Sequence, residues 1–308
     1  MLDVLATGYP SFDYIIPVSH SPQIGETALI RDVPDDTTAS YGGCGVNVAV
    51  ALRRLGFRCG VAMILGDDYQ GSLYRSRLAT EGIDQSDLII MPRARTSRSY
   101  LFRNEDGEYQ NFFFPGAADM WNGTLRLRNQ TNTRYALVTV GPYHYNKQFV
   151  SIFREARVPI IWQLKPDIFA YTKDAVRDFA QASRYILMNH IEADFVLRTL
   201  DLSQPSDLIN ETTLAIFVTH GEQGSTLYTA QGATPIQPAR IQVVDTVGAG
   251  DAYTAGLLAG ILRDYSLQTS AHIGSVMASF VLEKIGCQTN LPSWSQMQAR
   301  YESLFGPL

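Results

Sequence analysis

Short apolar runs alternate with helical patterns along most of the chain. The runs are rich in Val, Ile and aromatic residues, and most end in Gly or a polar residue, as buried strands do. They lie at residues 4–8, 59–66, 135–141, 158–164, 183–189 and 214–221. Helical patterns occur at 46–56, 67–82 and 145–157, and we predict mostly helical structure from about residue 249. Because such alternation builds parallel sheets covered by helices on both faces, we predict an α/β fold.

Two regions break this alternation. Residues 97–115 contain strand-like runs on both sides of an Asp-Gly pair, which favours a tight hairpin turn. Residues 11–33 contain two further strand-like runs. Together the regions predict a small antiparallel sheet that acts as a lid, and an ordinary extension of the main sheet is the alternative. No repeat or long linker is visible, so the simplest organisation is one domain over residues 1–308 with an inserted lid.

The composition excludes several classes of protein. With 45% hydrophobic and 18% charged residues, the chain of 308 residues is typical of a globular protein. A net charge of −5 without a basic stripe argues against a nucleic-acid partner. No apolar run reaches the roughly 18 residues that span a bilayer, and no basic signal segment precedes residue 4. We therefore expect a cytoplasmic protein without a membrane partner.

Cysteine spacing gives no sign of a metal site. Cys44, Cys59 and Cys287 are far apart and form no Cys-x-x-Cys pair. Free cysteines are among the residues most often buried in proteins. We therefore expect three buried thiols rather than a zinc site or a disulfide framework.

The stretch DTVGAGDAYTAG, from Asp245 to Gly256, carries the clearest chemistry. Gly248, Ala249 and Gly250 have almost no side chain, so main-chain N–H groups there can approach a ligand closely. If a helix begins near Gly250, its first N–H groups have no internal partner and its dipole favours an anion. The stretch therefore predicts a phosphate site.

Two commoner phosphate motifs do not fit this chain. A Walker-type loop needs a Gly-Lys pair, and the sequence contains none. A dinucleotide fingerprint would need Gly or Ala three residues after Gly250, where Tyr253 stands. P-loop nucleoside triphosphatases (NTPases) and Rossmann dehydrogenases are therefore disfavoured.

Asp251 follows the glycine loop directly. Taken alone, a carboxylate at a helix start is explained as well by capping of the helix. Beside a main-chain anion site, it could instead accept the proton of a hydroxyl as that oxygen attacks phosphorus. The adjacent N–H groups would stabilise charge on the transferred group. A base beside an anion site is what phosphoryl transfer to an alcohol requires.

Four segments resemble the ribokinase (PfkB) family of carbohydrate and nucleoside kinases. Residues 245–260 closely resemble its C-terminal signature, and residues 41–56 its N-terminal signature. Residues 189–192 resemble its Asn-x-x-Glu element, and residues 218–228 the strand–turn–strand that borders the nucleotide base. The segments occur in family order and span most of the chain. The resemblance implies a ribokinase-like three-layer α/β/α sandwich with a mainly parallel central sheet and a small β-sheet lid.

The resemblance also implies an activity and a set of site residues. It implies an ATP-dependent kinase that transfers the γ-phosphate to a primary hydroxyl of a sugar or nucleoside. Asp251 would be the catalytic base, and Gly248, Ala249 and Gly250 the anion hole. The acceptor would be bound by Asp13, Gly42, Gly43 and Asn47, and ATP by Asn189, Thr219, Gly221 and Gly224. Glu192 and Asn189 would help to hold Mg²⁺ through waters. Asp245 would hold a loop near a monovalent cation such as K⁺.

Some of these assignments have simpler explanations. Asn189 and Glu192 also fit a helix start, with Asn as the cap and Glu at the third position. Asn47 also fits a polar residue at the start of a helix. The residues alone leave these alternatives open.

The chain departs from the family pattern at two places. Ser11 stands two residues before Asp13, where many members have Asn. The segment WQLKPD, with Gln163 and Lys165, stands where relatives often carry Asp-Pro after a central strand. The second departure weakens any prediction of acceptor contacts from that strand.

The identity of the acceptor is the least determined. Residues 112–117, 140–142 and 286–292 look most like the nucleoside-kinase branch, which phosphorylates the ribose 5′-hydroxyl of adenosine-like substrates. The alternatives are a simple sugar such as ribose or fructose, and a non-catalytic ligand-binding homologue. For a phosphosugar, Arg95, Arg98 and Arg103 near the lid could bind the phosphate, and the alternative is that they are solvated surface charges. Nearby aromatic residues could stack on a base, pack in the lid or form the seam of a homodimer: Tyr109, Phe112, Phe113, Phe114.

Overall fold

The computed structural model describes residues 1–36, 38–165 and 171–308. The strands are β1 (Leu2–Thr7), β2 (Ser11–Pro17), β3 (Ser40–Gly42), β4 (Cys59–Ala62), β5 (Ile64–Gly66), β6 (Ile89–Met91), β7 (Arg98–Arg103), β8 (Tyr109–Phe114), β9 (Thr133–Val138), β10 (Ile160–Gln163), β11 (Ser183–Asn189), β12 (Ala215–Thr219), β13 (Ser225–Thr229) and β14 (Gly232–Ile236). The α-helices are α1 (Cys44–Arg54), α2 (Tyr69–Thr80), α3 (Ala117–Met120), α4 (Tyr143–Glu155), α5 (Lys173–Ala182), α6 (His190–Leu200), α7 (Ala249–Leu262), α8 (Leu267–Leu282) and α9 (Trp294–Phe305).

An eight-stranded sheet forms the centre of the fold. Its order is β14-β13-β12-β11-β10-β9-β1-β4, and all neighbours are parallel except β12–β13 and β13–β14. Side chains of α1, α7, α8 and α9 pack on one face, and those of α4, α5 and α6 pack on the other. The apolar runs of the sequence are therefore strands buried on both faces. The prediction of an α/β/α fold with a mainly parallel sheet is confirmed.

The carboxyl ends of the parallel strands meet at one edge of this sheet. Residues at or just after these strand ends come from five neighbouring strands: Tyr9, Val140, Lys165, Asn189, Thr219. Open α/β sheets bind ligands at this edge, because the chain there leaves the sheet in loops whose side chains converge. The topology thus brings residues as far apart in the chain as Tyr9 and Thr219 into one region.

Helix α7 packs unusually closely against α8. A Cβ atom added at Gly256 would lie 2.7 Å from Ile273 O, and one at Gly260 would lie 2.6 Å from Ser270 Oγ. Only glycine allows the two backbones to approach this far. This contact fixes the position of α7, and with it the glycine loop at the start of the helix.

A separate four-stranded sheet, the lid sheet, has the order β3-β2-β7-β8. It contains the predicted hairpin, because β7 and β8 are antiparallel and joined through Gly107, whose φ is +83°. The prediction of an antiparallel sheet is wrong for the central pair, since β2 and β7 are parallel. Among the described residues it pairs with no strand of the main sheet, so it is not an edge extension.

Two strand predictions need correction. Residues 26–33 form no strand, and Ile30 makes only an isolated bridge to Val18. The apolar run at 59–66 is split, because β4 joins the main sheet whereas β5 pairs with β6. Both halves of that run are buried, so hydrophobicity could not show where the chain leaves the sheet.

In the described part of the chain, no helix combines the length and the hydropathy needed to cross a bilayer.

Helix α4 shows how burial decides stability in the outer layer. Phe153 is fully buried and its ring centroid lies 4.7 Å from that of Phe149, whereas Phe112 in the lid sheet is 61% exposed. We expect Phe153→Ala to lower the free energy of unfolding by about 3–5 kcal/mol, because it leaves a cavity in the core. The matched change Phe112→Ala should cost less than about 1 kcal/mol. Urea unfolding followed by circular dichroism measures both, and equal losses would contradict this account of the core.

Candidate active site

Two cavities lie on either side of the loop that begins α7. The larger has a volume of about 730 Å³, and Ala249 and Gly250 line it. The smaller has a volume of about 510 Å³, and Gly248 and Asp251 line it. The segment Gly248–Asp251 is therefore a wall that both cavities share. A group bound in one cavity and a group bound in the other would meet at this segment.

The start of α7 presents unpaired main-chain donors. The first α-helical hydrogen bond runs from Ala252 N to Gly248 O at 2.9 Å, and Ala249 N donates to Thr246 O. The N–H groups of Gly250 and Asp251 have no hydrogen-bond partner among the described residues. Together with the helix dipole, these donors form a site for an anion. The predicted anion hole lies between the two cavities, where it could bind an anionic group that passes from a molecule in one cavity to a molecule in the other.

Asp251 lies buried at the wall of the smaller cavity. Its Oδ2 accepts a hydrogen bond of 2.7 Å from Asn47 Nδ2, and its Oδ1 accepts one of 2.5 Å from Gln163 Nε2. Gln288 Nε2 donates to Asn47 Oδ1 at 2.9 Å, which orients the amide so that its nitrogen faces Asp251. The Asp251 carboxylate accepts no hydrogen bond from the start of α7 among the described residues. Capping of the helix therefore does not explain it.

Burial dominates the ionisation of Asp251. Loss of solvation raises the pKa of this carboxyl, while the hydrogen bond from Asn47, the charge of Lys165 and the hydrogen bond from Gln163 lower it. A carboxylate with a raised pKa binds a proton more readily than one in water. The site thus holds a carboxylate that is suited to accept a proton from a neighbouring group.

Asp13, at the start of the lid sheet, is the second carboxylate of the smaller cavity. Ser11 Oγ donates to Asp13 Oδ1 and lies 2.9 Å from Ser99 Oγ. Burial raises the pKa of Asp13, and the Ser11 hydrogen bond opposes that rise. Ser11, which departs from the family pattern, therefore holds the Asp13 carboxylate in place.

The glycines before α1 make room for this arrangement. Gly43 lines the smaller cavity with a φ of +99°, and Asn47 one turn later lines it too. Gly42 does not line the cavity, but a Cβ there would overlap Asp13 Oδ2. Gly42 therefore allows the carboxylate to approach the chain. Asn47 is more than a polar residue at a helix start, because it links Asp251 to Gln288.

Three residues predicted to bind ATP line the larger cavity. Thr219 ends β12, and Gly221 and Gly224 lie in the turn that leads into β13. Both glycines have positive φ, and a Cβ at Gly224 would overlap Ile236 O. The turn borders the cavity opposite Ala249 and Gly250.

Asn189 and Glu192 line neither of these cavities and form a reciprocal capping box at the start of α6. Asn189 Oδ1 accepts from Glu192 N at 2.9 Å, and Glu192 Oε2 accepts from Asn189 N at 2.7 Å. The helix-start explanation is therefore correct for their local contacts. Burial raises the pKa of Glu192 to about 7, against the opposing effects of the Asn189 N–H and Lys165. No cluster of three or more His, Cys, Asp or Glu side chains suited to a metal occurs among the described residues.

Asp245 is buried below the glycine loop and ties it to two other segments. Its Oδ1 accepts from Val247 N at 3.2 Å and from Tyr109 OH at 3.3 Å, and its Oδ2 accepts from Gly286 N at 3.0 Å. Asp245 thus joins the lid strand β8 to the glycine loop before α7 and to the loop at Gly286. Its role near a monovalent cation stays a prediction.

The smaller cavity also has an aromatic wall. Phe113 lines it, and the Tyr9 ring meets Phe113 edge-on with centroids 4.8 Å apart. Tyr9 OH donates to Asp119 Oδ1 at 2.7 Å, and Asn111 also lines the cavity. The other three aromatic candidates do not line the cavity: Tyr109, Phe112, Phe114.

The three arginines considered for a phosphosugar lie outside the smaller cavity as the described residues define it. Arg98 donates to Asp68 Oδ2 at 3.2 Å and to Gln70. The Arg103 guanidinium lies 5.9 Å from the centre of the Tyr109 ring. Arg95 is exposed. The structure therefore gives no support to a phosphate clamp made of these residues.

Sequence reasoning missed several residues of the smaller cavity. The segment with Gln163 and Lys165 gave no firm prediction of acceptor contacts, yet Gln163 donates to Asp251 and Lys165 lines the cavity. The two residues that follow Lys165 in the WQLKPD segment lie outside the described residues. Gln163 and Lys165 lie at the carboxyl end of a parallel strand, and that position was a signal that could have identified them. Other missed residues are Tyr9, Cys44, Asn111, Asp119 and Cys287.

Comparison with known proteins agrees with this geometry. Residues 4–294 match the family model of the pfkB family carbohydrate kinases. A nucleoside kinase of Methanocaldococcus jannaschii is 28% identical over 305 residues, covering 98% of this chain and 97% of the relative. A fructokinase of Rhizobium leguminosarum bv. trifolii is 29% identical over 269 residues, covering 81% and 82%.

Solved structures share the fold over nearly the whole chain. The crystal structure of the M. jannaschii nucleoside kinase, a member of the ribokinase family, gives a TM-score of 0.87 at 27% identity and covers 98% of this chain and 99% of that one. The nucleoside kinase of Burkholderia thailandensis in complex with inosine gives 0.89 at 24% identity, with coverage of 98% and 99%.

The ribokinase-like fold, with a carboxylate beside a main-chain anion site, defines a phosphotransferase whose acceptor is an alcohol group. Since the family model covers most of the chain, this protein belongs to the pfkB family of carbohydrate kinases, whose co-substrate is ATP. The predictions of the family, the fold and the enzyme class are therefore confirmed.

Gly248 and Gly250 offer a matched test of the loop. Gly248 has a φ of +82°, and a Cβ there would lie 2.7 Å from Cys287 Cβ, whereas a Cβ at Gly250 meets no atom within 4 Å. We expect Gly248→Ala to lower the free energy of unfolding by at least about 1–2 kcal/mol, because it combines left-handed strain with a clash. Gly250→Ala should leave it unchanged or raise it by about 0.4–1 kcal/mol. Urea denaturation compares the two, and equal stabilities would refute the assigned loop geometry.

Proposed function

We propose that this protein is a nucleoside kinase that transfers the γ-phosphate of ATP to the primary 5′-hydroxyl of a nucleoside. One observation carries the proposal: the segment Gly248–Asp251 separates the two cavities and presents its donors and its carboxylate at their junction. ATP would occupy the larger cavity and the acceptor the smaller. The attacking oxygen and the phosphorus would then meet at this wall.

The larger cavity suits ATP in its volume and its lining. Thr219, Gly221 and Gly224 border one side, and Pro238, Ala239 and Tyr253 supply apolar surface. We place the base against that apolar surface and the γ-phosphate at the start of α7. The N–H groups there would stabilise the charge that develops on the phosphoryl group during transfer.

The smaller cavity supplies the groups that an acceptor hydroxyl needs. Asp13 can accept hydrogen bonds from two neighbouring ribose hydroxyls, because a carboxylate offers two acceptor oxygens. Asp251 takes the proton of the attacking 5′-hydroxyl while the new O–P bond forms and the bond to ADP breaks. Asn47 and Gln163 hold the Asp251 carboxylate in position for that step.

A nucleoside uses the smaller cavity more fully than a simple sugar does. The cavity of about 510 Å³ continues from the two carboxylates to the wall of Tyr9 and Phe113, where a base can stack. Asn111 and Asp119 offer polar groups to the edge of that base. The full-length match to an archaeal nucleoside kinase supports the same choice.

The charge of the smaller cavity disfavours an anionic acceptor. Three aspartates line it, and Lys165 is the single Lys or Arg among its described lining residues. A phosphosugar would add negative charge to a cavity that already has more acidic than basic side chains. A neutral acceptor such as a nucleoside avoids this repulsion.

Glu192 and Asn189 fit a role beside Mg²⁺. Mg²⁺ keeps several waters and needs only one or two carboxylates when phosphates supply further oxygens. Glu192, buried near Asp251 and Lys165, is such a carboxylate. When bound with ATP, Mg²⁺ would neutralise charge on the phosphate oxygens. Asp245 stays our candidate for organising a loop near K⁺.

We also propose that the lid sheet closes over the acceptor. Its strands contribute Ser99, Leu101, Asn111 and Phe113 to the wall of the smaller cavity. Closure would exclude water from the transferred phosphoryl group and limit wasteful hydrolysis of ATP.

The exposed Phe112 and Phe114 on the same sheet are consistent with the predicted homodimer through the lid.

Removal of the base tests the mechanism directly. We expect Asp251→Asn to lower kcat by about 10²–10⁴-fold, because the amide cannot accept the hydroxyl proton. ATP affinity, measured by isothermal titration calorimetry, should change little. Asp178→Asn, on the exposed side of α5, is the matched control and should keep full activity. Near-normal turnover of Asp251→Asn would rule out the assignment of this residue as the base.

An acceptor screen tests the substrate class. ADP release is measured with Mg²⁺, ATP and each of adenosine, inosine, guanosine, cytidine, ribose and fructose. We expect kcat/KM for the best nucleoside to exceed that for either sugar by about tenfold or more, since stacking one base on an aromatic ring is worth about 1–3 kcal/mol. A sugar as the best acceptor would favour the sugar-kinase alternative. Binding without ADP release would favour a non-catalytic homologue.

Phe113 gives this screen an internal control. Phe113→Ala should lower kcat/KM for nucleosides and leave the weaker activity on sugars unchanged, because only a nucleoside reaches the aromatic wall. Phe112→Ala, on the exposed side of the same strand, should affect neither.

A further inference from the structure

Lys165 is a cation in a cavity that otherwise carries acidic groups. It lies two residues after the end of β10 and lines the smaller cavity together with Asp13, Cys44 and Asp251. Lys165 is exposed to solvent. The negative charges of Asp251 and Asp13 attract the Lys165 ammonium and raise its pKa, so it is protonated at neutral pH. None of the functions assigned above uses this charge.

The alternation of β10 directs Lys165 toward the catalytic wall. Ile160, Trp162 and Leu164 pack in the core that contains α4, α5 and α6, whereas Ile161 packs in the core that contains α1 and α7. Leu164 N donates to Leu187 O at 2.9 Å, so the extended pairing continues one residue past the strand. Successive side chains of a strand point to opposite faces, so Gln163 and Lys165 share the face of α1 and α7. The hydrogen bond from Gln163 to Asp251 confirms that direction.

Asp251 needs such a charge in order to act as a base. A carboxyl group that already holds a proton cannot accept another from the acceptor hydroxyl. Besides the uncharged Asn47 and Gln163, the titratable groups that face Asp251 come from five elements or loops: Asp13, Cys44, Lys165, Glu192 and Cys287. Burial raises the pKa of both thiols, so they are neutral. Asp13 and Glu192 add negative charge when ionised, and Lys165 is the positive charge that opposes them.

We propose that Lys165 is a positioning residue of the reaction, whose ammonium faces Asp13 and Asp251 together and holds Asp251 in the ionised form that accepts the hydroxyl proton. The proposal rests on the proposed role of Asp251 as the base. In the step itself, the hydroxyl proton moves to Asp251, the oxygen bonds to phosphorus, and ADP leaves. Lys165 keeps its proton throughout and acts only through its charge.

The sign of the expected pH effect follows from the charges. With Lys165 present, the ionised form of Asp251 is favoured, and the pKa is lower than burial alone would set. A nearby opposite charge lowers a carboxyl pKa by about 1–3 units. Lys165→Met removes the charge, so the pKa of Asp251 should rise by about 1 unit or more, and Lys165→Arg should restore the original value.

The decisive measurement is a titration of the aspartate side chains in the free protein. Protein labelled with ¹³C at aspartate Cγ is titrated by NMR, and the Asp251 and Asp13 signals are assigned from Asp251→Asn and Asp13→Asn. Because the two carboxyls interact, the midpoints of both signals are followed. Because only aspartate carries the label, Glu192 gives no signal in this titration. We expect higher midpoints in Lys165→Met and unchanged midpoints in Lys165→Arg.

Kinetics supply a second readout. The acidic limb of kcat/KM against pH should move upward in Lys165→Met, so that the loss of activity is larger at pH 6 than at pH 8.5 and approaches about tenfold at pH values below both midpoints. Lys165→Arg should recover the wild-type profile. Lys147→Met, at an exposed position on α4 outside both cavities, is the matched control and should leave the profile unchanged.

The outcomes separate this inference from the proposed function. Unchanged Asp251 and Asp13 midpoints in Lys165→Met would overturn the inference, even if Asp251→Asn is inactive as expected. Full activity of Asp251→Asn would instead overturn the assigned base, whatever the titration shows. Lys165→Gln provides a second neutral variant should Lys165→Met lose its fold in a thermal unfolding control. A shift in the neutral variants without recovery by Lys165→Arg would count against a role of charge.

Discussion

The buried carboxylate of Asp251 is the constraint on which the candidate site depends. Removing a charged group from water is costly unless hydrogen bonds or opposite charges replace its hydration. Here the replacements come from Asn47 on α1 and Gln163 on β10, which lie 204 and 88 positions away in the chain. The carboxylate can therefore be accommodated only when α1, β10 and α7 are packed together. The same packing places the carboxylate at the wall between the two cavities.

Helix α7 joins the stability of the fold to the chemistry of the site. Gly256 and Gly260 let this helix lie against α8, and Gly248 lets the chain turn into it above Cys287. The unpaired N–H groups at its start therefore belong to a helix that is packed in the core. Preorganised donors of this kind stabilise developing charge without a reorganisation cost at the moment of reaction. The small residues of the signature thus serve both packing and phosphate recognition.

The departures from the family pattern turn out to be contacts of the site. Ser11 holds Asp13, Gln163 holds Asp251, and Lys165 adds the positive charge of the smaller cavity. These residues differ from the usual ones in type but occupy the same carboxyl edge of the sheet. A motif comparison counts such residues as mismatches, because it tests identity and not position. Their meaning depends on what lies opposite them, and a single sequence does not show that.

The local sequence by itself determined the α/β class, the helix at α7 and the loop before it, since apolar periodicity and glycine placement act over a few residues. It also indicated the hairpin of β7 and β8 through its Asp-Gly turn. Only the tertiary structure decided that β2 pairs in parallel with β7, that the run at 59–66 divides between two sheets, and that Phe113 alone among the aromatic candidates faces the cavity. Strand pairing and cavity lining depend on contacts between distant segments, and hydrophobic pattern carries no record of which buried segment meets which. The assembly of Asp13, Asn47, Lys165 and Asp251 around one cavity is therefore a product of topology.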